Sequence, residues 1–102
     1  MTTFPHLFSP IRIGQVTIRN RIMSTGHDTM LPHAGKVSDA LVAYHAARAR
    51  GGVGLIVIQV SAVHDSARYS AHVLMGTTDE AIPGYQRLAQ AIHGHGAKVF
   101  GQ

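Results

Sequence analysis

The stretch Leu55-Ile56-Val57-Ile58-Gln59-Val60 constrains this chain more than any other. It is short, mostly β-branched and introduced by Gly54. Such a run reads as a strand buried on both faces, the condition of a parallel sheet covered by helices. The segments on either side read as helices. Ser38 predicts an N-cap, Asp39 suits the positive end of the helix dipole, and Arg48 and Arg50 suit the negative end. Gly51-Gly52 then stops the helix. Leu41, Tyr44 and Ala47 are read as its apolar face, with Ala40 and Ala43 beside it. A second helix is predicted to start near Asp79. Pro83 falls in its first turn, and Tyr85, Leu88, Ala89 and Ile92 form the buried stripe. Gly94 and Gly96 break it.

Two further strands bracket these helices. One runs from Arg21 to Thr25 and stops at Gly26; the other opens at Ala97 and reaches Gln102. Residues 8–20 carry Phe8, Ile11, Ile13, Val16 and Ile18 in loose alternation and predict a β-hairpin turning at Gly14. The order is hairpin–β–α–β–α–β, which implies parallel strands joined by right-handed crossovers. Strand starts near 21, 55 and 97 fit βα units with long upper loops. A (β/α)8 barrel takes roughly 250 residues, so this α/β chain of 102 residues would supply about three of eight units. Residues 1–102 are therefore expected to be the N-terminal segment of a single, incomplete barrel domain.

Composition removes several functional classes. Nine Lys plus Arg against five Asp plus Glu give a net charge of +4. Those cations are scattered along the chain, whereas nucleic-acid readers concentrate theirs on one face. An excess of cations does suit a phosphorylated ligand. With no cysteine, disulfides, thiolate metal sites and cysteine nucleophiles are excluded. Met1-Thr2-Thr3-Phe4-Pro5 has no charged region ahead of an apolar core, and no apolar run approaches the ~18 residues of a membrane span. The expectation is a soluble cytoplasmic protein, with no membrane or nucleic-acid partner.

Chemistry is expected at the upper strand ends. Asn20-Arg21-Ile22-Met23-Ser24-Thr25-Gly26-His27-Asp28 is a strand that ends in small and polar groups, and residues 26–37 continue as a loop. Parallel α/β folds place their ligands at such ends. Residues 61–80 form a second long connection, with His64, Asp65, Arg68 and His72, and connections of that length are usually functional. For His64 and His72 a substrate-side role and a surface role both stay open. His93 and His95 flank Gly94 without sharing a helix face, which argues against a metal pair. Tyr44 and Tyr85 are read as core packing. Gly51-Gly52-Val53-Gly54 follows a helix and precedes a strand, the reverse of a dinucleotide fingerprint, and is read as a helix stop.

Four segments together resemble the N-terminal part of the old yellow enzyme family of FMN-dependent oxidoreductases, in the branch of 2,4-dienoyl-CoA reductase and trimethylamine dehydrogenase. They are Leu7-Phe8-Ser9-Pro10-Ile11 with Gly14; Asn20-Arg21-Ile22; Tyr44-His45-Ala46-Ala47-Arg48-Ala49 running into Gly51-Gly52-Val53-Gly54-Leu55-Ile56; and Ile82-Pro83-Gly84-Tyr85 through His93-Gly94-His95-Gly96-Ala97-Lys98 to Gln102. The resemblance implies a TIM barrel in which the ends of the first three strands form one wall of an FMN pocket. Thr25, Gly26 and His27 fall where the first strand end runs along the isoalloxazine. Val60 falls where the backbone of the second strand nears the flavin. Gln102 falls at the glutamine that pairs with its pyrimidine edge, and a carboxamide suits that edge because it both donates and accepts. No catalytic residue and no metal ligand is carried over.

This sequence departs from the family in two places. Gly26-His27 stands where many relatives have Pro-Met, and Asp28 stands where some have cysteine, so a covalent thioether to the flavin is excluded. A carboxylate facing the ring would lower the flavin's potential.

The activity implied is hydride transfer from NADH or NADPH through FMN to an activated C=C bond of a small-molecule substrate. The alternative within the family is oxidation of an N-methyl amine. A reading of another class is an inactive fragment, or a non-catalytic flavin-binding or oligomerising module. The unpaired edges of a partial barrel invite either a second copy or the later barrel strands.

Overall fold

In the computed structural model, which describes residues 3–102, the chain opens with an antiparallel hairpin. Strand β1 (Ile11–Ile13) pairs with β2 (Val16–Ile18) in the register Ile11 to Ile18 and Ile13 to Val16. Gly14 makes the turn at φ 58°, a left-handed conformation that glycine adopts without a Cβ penalty.

Three parallel strands form the central sheet in the order β3 (Met23–Ser24), β4 (Leu55–Val57) and β7 (Lys98–Phe100). Each new strand is added to the same edge. Helix α1 (Asp39–Arg50) links β3 to β4, and helix α2 (Ile82–His93) lies between β4 and β7. The two helices pack on each other. They share one core with the sheet, in which Leu41, Ala49, Ile56, Ile58, Leu88 and Ile92 are buried together. Sequential strands with neighbouring helices in one layer are how a (β/α)8 barrel winds, whereas a doubly wound sheet reverses strand order.

Local signals set the helix ends. Ser38 Oγ accepts the backbone N–H of Leu41, Gly51 follows the last turn, and Asp39 and Arg48/Arg50 stand at the expected ends of α1. Pro83 sits in the first turn of α2, which a 3₁₀ turn over Asp79–Ala81 introduces.

The apolar face of α1 differs from the expectation. Leu41, His45 and Ala49 are buried, while Ala47 is exposed and Tyr44 half-buried. Steps of three residues drift around a 3.6-residue helix faster than steps of four, so the row i, i+4, i+8 holds the core side and Leu41, Tyr44, Ala47 does not.

The first strand is also shorter than Arg21–Thr25. Asn20 Oδ1 accepts the N–H of Ile22, and Arg21 N–H donates to Leu7 O, so these two N–H groups are taken by partners outside the sheet. Pairing of the second strand, by contrast, outlasts its regular part: Ile58 N–H donates to Phe100 O and Ser61 N–H to Gln102 O.

The long connection is partly ordered into structure of its own. Strand β5 (Ser61–Ala62) pairs in parallel with β6 (Leu74–Met75), around the buried Ala62, Val73 and Met75.

At the lower end of the sheet Arg19 joins three chain segments. Its guanidinium donates to Ala49 O (2.8 Å) at the end of α1, to Val53 O (3.0 Å) ahead of β4, and to His95 O (2.6 Å) ahead of β7.

Candidate functional site

The upper ends of β3, β4 and β7 meet at Gly26, Ile58 and Gln102. A Cβ on Gly26 would overlap Gln102 Oε1 and stand 3.2 Å from Ile58 O. Glycine here lets the Gln102 carboxamide lie directly on the backbone of the first strand end. Val60 is half-buried, between Gln59 and the residue whose N–H holds Gln102 O at 2.8 Å. The expected residues Gly26, Val60 and Gln102 are thus brought to one edge. Thr25 is exposed beside them.

The ring of His27 turns to α1. Its Nδ1 lies 2.8 Å from Thr25 O, and a carbonyl only accepts, so Nδ1 carries the proton. In the neutral ring Nε2 then accepts the hydroxyl proton of Tyr44 at 2.5 Å. Arg48 stacks 3.5 Å over the Tyr44 ring and donates to Tyr44 O, which fixes the phenol. Tyr44 is therefore a hydrogen-bonding strut as well as a packing residue. Tyr85 is another, its hydroxyl 2.6 Å from Ser61 Oγ.

Beyond His27 the loop is held by two side chains. Tyr69, from the long connection, donates its hydroxyl to the Asp28 carboxylate, 2.7 Å from each oxygen. That hydrogen bond, with lesser contributions from burial and the carboxylate charge, raises the Tyr69 pKa above its ordinary 10.0. Below the loop, Gln59 Oε1 accepts from Thr29 Oγ1 (2.7 Å) and Thr29 N–H (3.3 Å), and Gln59 Nε2 donates to His72 O (3.3 Å). Gln59 is 1% exposed.

Sequence reasoning missed Gln59, although the signal was present: it is the one polar residue in the run Leu55–Val60. No pattern pointed to Tyr69. Of the two histidines in the connection, His64 accepts the N–H of Ser66 on Nδ1 and so caps a 3₁₀ turn, and His72 Nδ1 donates to Pro32 O. His93 and His95 are exposed at the end of α2.

Exposed backbone, a carboxamide and a glycine-lined approach fit the edge of a planar, alternately donating and accepting ring such as a flavin's. The fold is that of part of a (β/α)8 barrel, with Gly26 and Gln102 at the upper strand ends. The sequence profile of the NADH:flavin oxidoreductase / NADH oxidase family matches residues 6–102, and the chain belongs to that family. It is 44% identical to an NADH oxidase of Thermoanaerobacter brockii over 100% of this chain and 16% of the relative. It is 38% identical to an N,N-dimethylglycine/sarcosine dehydrogenase of Chromohalobacter salexigens, over 95% of this chain and 14% of that protein. Among solved structures, a 2-naphthoyl-CoA reductase in complex with 2-naphthoyl-CoA superposes with a TM-score of 0.94 at 28% identity, over 98% of this chain and 16% of the other. Solved old yellow enzymes share the fold. The chain thus spans about a sixth of the length of these relatives. No helix among the described residues is long and apolar enough to cross a membrane.

Proposed function

We propose that this chain forms one wall of an FMN site in an enzyme that uses NADH or NADPH to reduce an activated C=C bond of a small molecule. The contact of Gly26 with Gln102 carries this reading, since it leaves a carboxamide edge-on beside exposed strand-end backbone. Bound there, FMN would supply acceptance and donation of hydride. Gln102 would offer a donor and an acceptor to the pyrimidine edge, and the backbone at Thr25–His27 and Val60 would line the ring. Asp28 would place a negative charge near it. The proton donor and the residues that polarise the substrate are not assigned to this chain.

The test is optical. Protein loaded with FMN is expected to bleach on addition of NADH or NADPH without air and to regain colour with an enone. Protein that takes up no FMN, or that bleaches but is not reoxidised by any enone, would reject the reading.

A second reading is oxidation of an N-methyl amine. The exposed Asp28 carboxylate, held by the Tyr69 hydroxyl, favours it, because an exposed carboxylate suits a cationic amine. Bleaching by N,N-dimethylglycine with no nicotinamide added would select this reading over the first.

A further inference from the structure

We propose that Gln59 is the positioning residue of the flavin-facing loop, acting through Thr29; this rests on the flavin reading above. The loop from Gly26 to Leu31 is anchored to the second strand at two successive residues. Ile58 backs Gly26 with its carbonyl oxygen, and Gln59 holds Thr29 with its side chain. Thr29 Oγ1 in turn accepts the N–H of Leu31 at 3.2 Å, so one buried carboxamide governs the path of the chain on both sides of Thr29. On its other side the same carboxamide donates to His72 O, in the segment that ends at β6. Gln59 therefore joins the loop after β3 to the connection after β4 from inside the protein. Gln59 is 1% exposed, so an apolar replacement removes these bonds from inside the protein and frees Thr29 and His72 O from one another.

The geometry needs an acceptor and a donor on one planar group. Glutamine supplies both, a protonated glutamate supplies both, and a glutamate anion supplies only acceptors. A carboxyl in this buried place favours its neutral form.

The experiment measures the FMN dissociation constant and the flavin reduction potential of the flavin-loaded protein and its variants. Gln59→Leu is expected to weaken FMN binding about tenfold and to move the potential. Thr29→Val is expected to do the same, and the double variant to be no worse than either single one, because both remove one connection. Gln59→Glu is expected to bind FMN like wild type at pH 5 and to weaken relative to wild type as pH rises. That arm decides the matter if Gln59→Leu does not fold.

A folded Gln59→Leu variant with unchanged affinity and potential, or a Gln59→Glu pH profile that parallels wild type, would overturn this inference alone. Wild-type protein that takes up no FMN would overturn the flavin reading and this inference with it.

Discussion

The backbone of Gly26 and the carboxamide of Gln102 occupy adjoining space, with no room for a methyl group between them. The obstructing atom is the tip of a flexible side chain, so Gly26→Ala displaces Gln102 rather than breaking the sheet. The expected cost in stability is about 1 kcal/mol, the scale of a forced side-chain rotamer, although Ile58 O at 3.2 Å leaves little slack. On the proposed flavin reading, the expected loss in FMN affinity is larger, about tenfold or more, since the amide proposed to pair with the ring is what moves. Thermal melts and FMN titrations of the same variant separate the two. Equal losses in both would show that Gly26 serves only the fold.

Asp28 and Tyr69 set the charge at the rim. A carboxylate beside a ring that gains negative charge on reduction opposes that reduction, so Asp28→Asn is expected to raise the flavin midpoint potential. Asp28 is exposed and screened, which limits the rise to about 30 mV, the equivalent of one decade for a two-electron couple. Tyr69→Phe removes the hydrogen bond that partly neutralises the carboxylate and is expected to lower the potential. Spectroelectrochemical titration of the two variants should give shifts of opposite sign. The hydrogen bond has its own pH range. With the Tyr69 pKa raised above 10.0, its contribution is present below pH 10 and lost as pH climbs through the raised value. Ultraviolet titration should find Tyr69 ionising at higher pH than in Asp28→Asn.

The elements that were legible in the sequence are those written in local chemistry. Ser38 caps a helix with its hydroxyl, Gly51, Pro83 and Gly14 act through their own backbone, and each appears where expected. Gly26, Val60 and Gln102 were singled out by the family resemblance, and the parallel order of the βα units is what lays their strand ends side by side. The rest depended on contacts between distant segments. Tyr69 reaches Asp28 only because β5 and β6 pair and fold the long connection back, and two-residue strands leave no alternation to detect. The bond of the His27 ring to Tyr44 on α1 is another such contact, set by how the helix is rotated. The same rotation brought His45 rather than Tyr44 into the core row.

Arg19 shows how one exposed-looking cation can organise the lower end. Its planar fork reaches three carbonyl oxygens from segments that precede or end α1, β4 and β7. A lysine is a point charge and cannot span them. Arg19→Met is expected to destabilise the protein by about 2–3 kcal/mol, with Arg19→Lys recovering part of that. Urea melts should show a lower midpoint with an unchanged slope, because the surface exposed on unfolding is the same. A loss within 0.5 kcal/mol of wild type, the range of ordinary surface substitutions, would mean that water replaces the guanidinium at all three oxygens.

His45 is the least comfortable group in the core. It is 1% exposed, and neither ring nitrogen has a hydrogen-bond partner. Burial foremost, then the charges of His27 and Arg48, lower its pKa from 6.5 to about 4. At pH 7 the ring is neutral in both folded and unfolded chains. As pH falls below 6.5 the unfolded chain takes up a proton that the folded chain refuses, so stability is lost between pH 6.5 and about 4 and levels off below. Allowing for screening by solvent, that loss is on the order of 2 kcal/mol. Phenylalanine matches the ring and has no polar atoms to leave unpaired. His45→Phe is therefore expected to be more stable at pH 7 by about 1 kcal/mol and to gain further on wild type as pH falls to 4. The two proteins differ at this one position, so the difference between the two stability curves isolates His45. A constant difference from pH 7 to pH 4 would show that His45 takes up its proton inside the fold.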